Sequence, residues 1–540
     1  MPTAVELLRE GRRQELWLKC CGFLDLSLEE FMTIQRRLLL EQLGLLKGCE
    51  LGNKVMRGAK PRSVEEFQEQ VPITTYADYA PYLVEQREDV LPEKPILWQR
   101  TSGASDEHKF KWVPVTKRMY QELGEAFLSI VLLGSCRDRG DVVVEEHDKL
   151  LYAIAPPPYA SGSWVTRVAE EKMFDLLPPP DMSERMTFEE RLEMGLKMGL
   201  SEGVDYIIGL PGVLIKIGER FSQGGGSRIP PLSQPKLALR LSTALLKSKL
   251  ARRRMLPRDV WSLKGMASMG RGIPVYKERI KEMWGRYPLE IYACTEAAVI
   301  ATQTWDYGGM TFLPHVNFLE FIPHGECQLW LKEPTYQPHA LLLDEVQAEK
   351  RYGMVITNFR GGAFVRYFLG DIIKITSLRN EKLHIDIPQM LFDSRVEDLI
   401  NIAGFTRLTE KAIWQAIEDS LIPYEDWVAR KEVKEQEILH IYLELKGGVE
   451  LVSHLVADSI HEQLKKLDSD YADLDTMLGL QPLEVTVLPA GAFHAYTLKQ
   501  RQSGADLSHL KPPHLNPSDA VIDFLLNPVH PAFASVASGY

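Results

Sequence analysis

Three short stretches carry side chains whose types and order suit a nucleotide. In TSGASDEHKFKWVPVT, Thr101 to Thr116, small hydroxyl residues and one glycine leave backbone N–H groups approachable, and Lys109 and Lys111 follow. Such a loop holds a phosphate chain through N–H donors, hydroxyls and ammonium charge. Ser/Thr/Gly clusters also serve as plain loops. YACTE, Tyr292 to Glu296, closes the apolar run PLEIYAC. At a strand end, a Tyr292 ring can stack on a purine, a Thr295 hydroxyl can bond phosphate and the Glu296 carboxylate can bind Mg²⁺. The competing reading is a core tyrosine with Glu296 opening the next helix. FVRYFLGDIIKI, Phe364 to Ile375, sets Asp371 behind Gly370 between two strand segments. One carboxylate there can accept from both ribose hydroxyls, while Gly-Asp is also ordinary turn chemistry. Arg395, and Lys511 in SHLKPPHL, are candidates for a triphosphate and equally readable as surface charges.

The elements that must position these groups follow an α/β rhythm. Residues 1–95 read mostly as helix, with Phe31, Ile34, Leu38, Leu39 and Leu43 near helical spacing. SVEEFQEQVPITTYADYAPYL contains two helix starts, Ser63 with Glu66 and Thr75 with Asp78, separated by Pro72. Beyond Leu97, apolar runs such as DKLLYAIA, DYIIGLPGVLI and YPLEIYAC alternate with the helix-like KRMYQELGEAFLSIVLL. Strands joined by helical crossovers place ligands beyond their carboxyl ends. Residues 223–257 interrupt this rhythm with Gly/Pro-rich chain and a basic amphipathic helix over 235–254. That helix reads as a surface element packing its leucines on the body, with peripheral contact to a membrane or partner as the other reading. Past Asp393 the strand QEILHIYLELKG, the helix VELVSHLVADSIHEQLKKL and the strand LEVTVLPA predict a small α+β unit. The expected division is a large α/β domain over 1–392 and a small domain over 393–540.

Composition narrows the function further. Lys+Arg 63 against Asp+Glu 74 gives a net charge of −11, which repels polyanions and disfavours nucleic acid as a partner. Six scattered cysteines without a C-x-x-C pair fit a reducing compartment, and no apolar run reaches the length of a spanning helix, so a cytoplasmic monomer is expected. No P-loop, zincin, hydrolase-elbow or dinucleotide-binding signature occurs, and no histidine pair has metal-ligand spacing.

Taken in order, these segments resemble the Gretchen Hagen (GH3) family of acyl-acid amido synthetases, a branch of the adenylate-forming ligases. TSGASDEHKFKWVP is similar to the family's first ATP motif, the stretch from Asp259 to Ala297 to the one ending Y-x-S-S-E, and VRYFLGDII to Y-R-x-G-D-[VI]. FDSRVEDLINIAGFTRLTE resembles the hinge that opens the C-terminal domain, and SHLKPPHL a segment ending Y-K-x-P-R. The resemblance implies an adenylate-forming fold with a mobile C-terminal domain. It implies Ser102, Gly103 and Ser105 around the phosphates, Ser268 at the adenine edge, Tyr292 on the adenine face and Thr295 near the α-phosphate. It further implies Glu296 on Mg²⁺, Asp371 on the ribose and Arg395 at the hinge. Lys109 is the loop lysine, with Lys111 the alternative, and Lys511 the mobile-domain lysine, with Lys499 behind it.

The reaction so implied activates a small carboxylic acid with ATP and Mg²⁺ as an acyl-adenylate and passes the acyl group to an amino acid. A thioester-forming ligase and a non-catalytic scaffold are the alternatives. The acyl pocket is expected along the helix near Leu123–Leu133 and the strands near Tyr152 and Tyr206. Several positions depart from the family pattern. Ala104 replaces a threonine, Asp106 and Glu107 bring two negative charges, Cys294-Thr295 replaces Ser-Ser and Phe368 stands where an arginine is usual. At a few ångströms each like-charge contact with a phosphate costs about a few kcal/mol unless a lysine or Mg²⁺ offsets it.

Overall fold

Capped amphipathic segments build the N-terminal region. Ser27 opens the helix Leu28–Leu46 through a capping box with Glu30, and its face of Phe31, Leu38, Leu39, Leu43 and Leu46 is buried. Ser63 accepts from the Glu66 N–H to start the helix Val64–Gln70, and Thr75 and Asp78 box a single 3₁₀ turn, Tyr76–Asp78, before Ala80–Leu83. A computed structural model of the protein describes residues 2–101, 111–154, 157–183, 185–223, 235–269, 273–333, 335–396, 399–402, 406–433, 437–468, 471–472, 482–503 and 510–528. The chain divides into two compact units, Met1–Asp393 and Ser394–Tyr540.

The first unit is organised on strands β1 (Pro95–Arg100), β2 (Trp112–Thr116), β3 (Asp148–Ala153), β4 (Phe174–Leu177), β5 (Tyr206–Gly209), β6 (Gly265–Met269), β7 (Leu289–Cys294), β8 (Ala298–Thr302), β9 (Met310–Phe312), β10 (Asn317–Pro323), β11 (Arg351–Asn358), β12 (Tyr367–Ser377) and β13 (Gln389–Arg395). β1 and β2 pair with each other, and the rest form an eleven-stranded sheet in the order β10-β11-β12-β13-β9-β8-β7-β6-β5-β3-β4. From β4 to β7 the pairs are parallel. From β7 onward the sheet continues antiparallel through β8, β9 and β13, and β10, β11 and β12 pair antiparallel as well. The expected parallel rhythm therefore covers only half of the sheet. In the other half β8 and β9 are short strands that follow β7 without an intervening helix, and the helix His324–Lys332 separates the longer β10 from β11.

Two local expectations need correction. DYIIGLPGVLI is not one extended run: β5 ends at Gly209, and Pro211 opens the helix Pro211–Ser222, where its missing N–H costs nothing. FVRYFLGDIIKI holds one strand rather than two. In the β11–β12 ladder Gly353 faces Ile372 and Val355 faces Phe368, so Leu369, Gly370 and Asp371 bulge opposite Met354 alone. Gly370 has φ +77° and a Cβ there would touch nothing, so the backbone angle alone calls for glycine.

The basic helix, Pro235–Leu250, packs Leu241 and Ala244 inward, and Arg240 donates to the Leu200 carbonyl at the end of the helix Phe188–Glu202. It packs on the body as expected, but with a narrower apolar face, because Leu239, Leu246 and Leu250 remain exposed. Residues 224–234 of the insertion lie outside the described residues. No helix among the described residues is long and apolar enough to cross a membrane.

The second unit contains the hairpin β14 (Leu399–Ile402) and β15 (Thr406–Thr409), and a three-stranded sheet of β16 (Tyr424–Val433), β17 (Glu437–Leu445) and β18 (Leu483–Val487). The helices Glu410–Asp419 and Ser453–Leu467 bury Ile413, Ile417, Val456 and Ile460 in one core with Trp427, Leu439 and Ile441. A second cluster joins Val428, Tyr442 and Phe493 to Ile522 and Leu525 of the C-terminal helix Asp519–Leu526.

Candidate functional site

β7 ends where the parallel half of the sheet gives way to the antiparallel half, the position at which α/β folds expose ligands. The helix that the competing reading has Glu296 open is absent. The chain turns through Thr295, Glu296 and Ala297 straight into β8, with Ala298 in the left-handed region at φ +56°. Two asparagines facing each other across β10 and β11 hold this turn. Asn358 Nδ2 donates to the Glu296 carbonyl at 2.9 Å and to Asn317 Oδ1 at 2.9 Å, while Asn317 Nδ2 donates to the Ala297 carbonyl at 2.6 Å.

The Glu296 carboxylate is buried and paired. Lys111 Nζ lies 3.3 Å from Glu296 Oε1 and 3.0 Å from the Tyr367 hydroxyl, which itself donates to Glu296 Oε1 at 3.4 Å. The ammonium also lies 5.5 Å and 5.7 Å from the ring centres of Tyr76 and Tyr367, within cation–π range. Burial, reinforced by the facing Glu296, holds the Tyr367 phenol well above its ordinary range, and burial pushes Tyr76 up to about 12. Both phenols therefore stay protonated and act as donors. Tyr367 is fixed from the N-terminal region, because Thr74 N–H donates to the Arg366 carbonyl and the Thr74 carbonyl accepts from Phe368 N–H.

Beside this cluster the Tyr292 hydroxyl donates to Asp371 Oδ2 at 2.8 Å, and the Tyr292 ring lies 6.1 Å from that of Phe392. β7 and β12 stand four places apart in the sheet. At roughly 4.8 Å per strand a flat sheet would hold them about 19 Å apart. The sheet must curl to close this contact.

The cluster thus unites Tyr292, Glu296 and Asp371 with Lys111. Thr295 lines an adjoining cavity bounded by Val113, Val115, Met119, Leu123, Phe359 and the polar residues Gln99, Glu122, His315 and Arg360. Met119, Glu122, Leu123 and Ala126 of the helix Lys117–Leu133 supply one wall of it. Tyr152 and Tyr206 do not line this cavity: both are buried in the sheet, and the Tyr152 hydroxyl donates to the Pro178 carbonyl. In this cavity Arg360 Nη2 lies 2.8 Å from Glu122 Oε1, and His315 Nε2 lies 3.7 Å from Glu122 Oε2. Burial pushes Glu122 up to about 7 against the pull of Arg360, and pushes His315 down to about 4, so the imidazole is neutral.

Matches to the GH3 family N-terminal domain over residues 21–187, its central domain over 310–395 and its C-terminal domain over 408–520 occur in that order along the chain. The chain belongs to the GH3 family. Among solved structures, it is similar to the AtGH3.15 acyl acid amido synthetase in complex with 2,4-DB, with 17% identity, 96% of each chain covered and a TM-score of 0.68. A GH3.15 acyl acid amido synthetase gives 15% identity, 98% and 97% coverage and a TM-score of 0.66. A 2-hydroxyisobutyryl-CoA ligase in the postadenylation state with 2-HIB-AMP gives 15% identity, 89% and 90% coverage and a TM-score of 0.55. At these identities the likeness is one of fold, the large α/β domain with a smaller C-terminal domain expected of GH3 proteins and adenylate-forming ligases. No curated protein matches the sequence.

The remaining candidates of this GH3 chain fall elsewhere. Ser102, Gly103, Ser105 and Lys109 lie outside the described residues. Ser268 is fully buried in β6, and its hydroxyl donates to the Gly209 carbonyl of β5. Arg395 ends β13 with an exposed side chain. Lys511 belongs to the second unit, where its Nζ lies 2.6 Å from Asp426 Oδ2, and Lys499 Nζ sits 4.3 Å from the ring centre of Phe524. Among the described residues no cluster of His, Cys, Asp and Glu could hold a metal by itself. Tyr76, Tyr367, Asn317 and Asn358 were not legible as site residues; the only signal for the asparagines is that HVNFLEF and ITNFRGG each carry Asn-Phe at a strand end.

Asp426 also accepts from His514 Nε2 at 3.1 Å, and His514 Nδ1 reaches Glu410 Oε1 at 2.7 Å while its ring stacks on Trp427. Burial opposes the imidazolium, yet Asp426 and Glu410 outweigh it and raise His514 from 6.5 to about 9. The stability this adds is complete below about pH 6.5 and is lost as pH rises through about 9. Amide exchange in β16–β18, corrected for intrinsic pH effects, should therefore quicken across that window. His514→Gln should remove the trend.

Proposed function

We propose that this chain is an ATP-dependent ligase that activates a small carboxylic acid as an acyl-adenylate and transfers the acyl group to an amino acid amine. The observation that carries the reading is the pair of contacts Tyr292–Asp371 and Lys111–Glu296, set side by side next to a largely apolar cavity that Thr295 borders. Membership of the GH3 family, and the fold it shares with an amido synthetase and an adenylate-forming ligase, support it.

In the first step a carboxylate oxygen attacks the α-phosphorus, the bond to the bridging oxygen breaks and pyrophosphate leaves. In the second the amine nitrogen attacks the acyl carbon, AMP departs and the amine loses a proton. Both nucleophile and leaving group in the first step are anionic, so the protein must chiefly position them and neutralise charge. Asp371 accepts the ribose hydroxyls, Tyr292 orients Asp371 and presents its ring to the base, and Thr295 bonds the α-phosphate. Ser102, Gly103, Ser105 and Lys109 take the phosphate-loop roles and Ser268 the edge of the adenine pocket. Arg395 and Lys511 are assigned to the nucleotide phosphates. Lys111, close to Glu296, supplies a fixed positive charge.

A single buried carboxylate with phosphate oxygens completing the shell is the donor set Mg²⁺ prefers, so Glu296 would hold that ion. When bound it would neutralise charge on the polyphosphate. All six cysteines carry free thiols, a usage that suits the cytoplasm, where we place the protein.

Carboxylate-dependent exchange of labelled pyrophosphate into ATP tests the first step. Exchange with at least one acid in a broad panel is expected, followed by an amide product with amino acids and none with coenzyme A. No exchange with any acid would leave a scaffold, and a thioester product would reassign the acceptor.

A further inference from the structure

Exposed leucines are ordinary one at a time. On the basic helix Pro235–Leu250 three of them share one line: Leu239, Leu246 and Leu250 are 69%, 59% and 76% exposed. At 3.6 residues per turn they fall within about 40° of arc and span roughly 16 Å along the axis. The buried positions Leu241, Ala244 and Ser248 lie on the opposite side, where the helix packs against Phe188–Glu202 and Pro257–Val260. The leucine ridge therefore points straight away from the body.

Cations border the ridge on both sides. By the same geometry Lys236 and Lys247 stand on one flank and Lys249 on the other, and Arg252 and Arg254 follow the helix end. All five are exposed, and none has a carboxylate within ion-pair distance among the described residues. The other two cations are used by the body: Arg240 donates to the Leu200 carbonyl, and Arg253 pairs with Asp259 at 2.7 Å. No Asp or Glu occurs from Pro235 to Arg258, in a chain whose net charge is −11. The helix dipole accounts for Lys247 and Lys249 in the last turn. It does not account for Lys236 in the first turn, where a cation is disfavoured, nor for leucines left in water.

We infer that this face docks on the surface of a bilayer that contains anionic phospholipid, with the three leucines entering the headgroup boundary and the flanking cations meeting lipid phosphate and carboxylate. Protein interfaces are depleted in lysine and anchored by aromatic residues; this helix has no aromatic side chain, and lysines border its ridge. Long lysine stems let the ammonium groups rise to the phosphates while the leucines sink. Two copies meeting through the same face would set these unpaired cations against each other. The inference stands apart from the ligase reading and does not rest on it.

Sedimentation of the full chain with vesicles tests it, comparing phosphatidylcholine alone with a mixture in which about a third of the lipid is phosphatidylserine. Binding to the mixed vesicles should exceed binding to the neutral ones at least about tenfold at low salt, and should weaken as salt rises. Lys247→Gln with Lys249→Gln should lower it about 25-fold, or about fivefold for each lysine near an anionic surface. Leu246→Ser with Leu250→Ser should lower it at least about tenfold. All four side chains are exposed, so circular dichroism and the unfolding midpoint should match the wild type. Equal binding to both vesicles, binding that survives the leucine replacements, or no binding at all would overturn the inference. In that last case a dimer seen by light scattering and lost in the leucine variant would assign the face to a second copy, and a monomer would leave it to a protein partner. Pyrophosphate exchange tests the ligase separately, whichever result is found.

Discussion

Replacing Glu296 by glutamine is expected to lower carboxylate-dependent pyrophosphate exchange by about a hundred- to a thousand-fold, the usual loss when one preorganised electrostatic group is removed from a transition state. The side chain keeps its shape, the Asn358 and Asn317 bonds to the turn go to main-chain carbonyls and are untouched, and circular dichroism should match the wild type. Lys111→Met should cause a comparable loss, because it strips the fixed charge 3.3 Å from that carboxylate. Tyr367→Phe should cost less, as it removes one hydrogen bond from each of them. Full exchange in both Glu296→Gln and Lys111→Met would show that the chemistry lies elsewhere.

The largest expected effect on stability comes from a pair behind the site. Arg366 is almost wholly buried; its Nη2 lies 2.9 Å from Glu320 Oε1, and its Nη1 donates to the Gln68 and Val71 carbonyls at 2.6 Å each. Removing one partner of a buried pair leaves the other charge without compensation, so Glu320→Ala should cost about 3–5 kcal/mol in unfolding free energy. Replacing both together, by Glu320→Leu with Arg366→Met, should recover part of that cost, and the shortfall reports the two carbonyls that lose their donor. Urea unfolding of the wild type, Glu320→Leu, Arg366→Met and the double variant measures the cycle. A loss below about 1 kcal/mol in Glu320→Ala would mean that water reaches the pair, as it does in exposed ones.

How much of this could be read from the residues follows from which forces act locally. The helix Lys117–Leu133 and the strand Leu289–Cys294 were visible because capping chemistry and an uninterrupted apolar run are properties of neighbouring residues. The same holds for the strands and helix of the second unit, Glu437–Leu445, Ser453–Leu467 and Leu483–Val487. The antiparallel half of the sheet was not visible, since β8 and β9 are too short to show a period and their partners are distant in sequence. Tyr292, Glu296 and Asp371 were legible as types of side chain suited to a nucleotide. That Lys111 meets Glu296 across 185 positions of chain was not, and it was named only as the alternative to Lys109. Arg366 and Glu320 escaped notice altogether, because a buried ion pair has no local signature.

The curl of the sheet that brings Asp371 against Tyr292 has a consequence for how such a chain tolerates change. Between the two residues lie three intervening strands, and the contact depends on the number of residues in each rather than on their identity. Conservative exchanges in β8, β9 or β13 keep the pleat and should drift freely. A single insertion or deletion within one of these strands turns the side chains that follow it in that strand to the opposite face and would disturb the pairing that sets the curl. Divergent descendants of this fold should therefore vary in what these strands are made of long before they vary in how long they are.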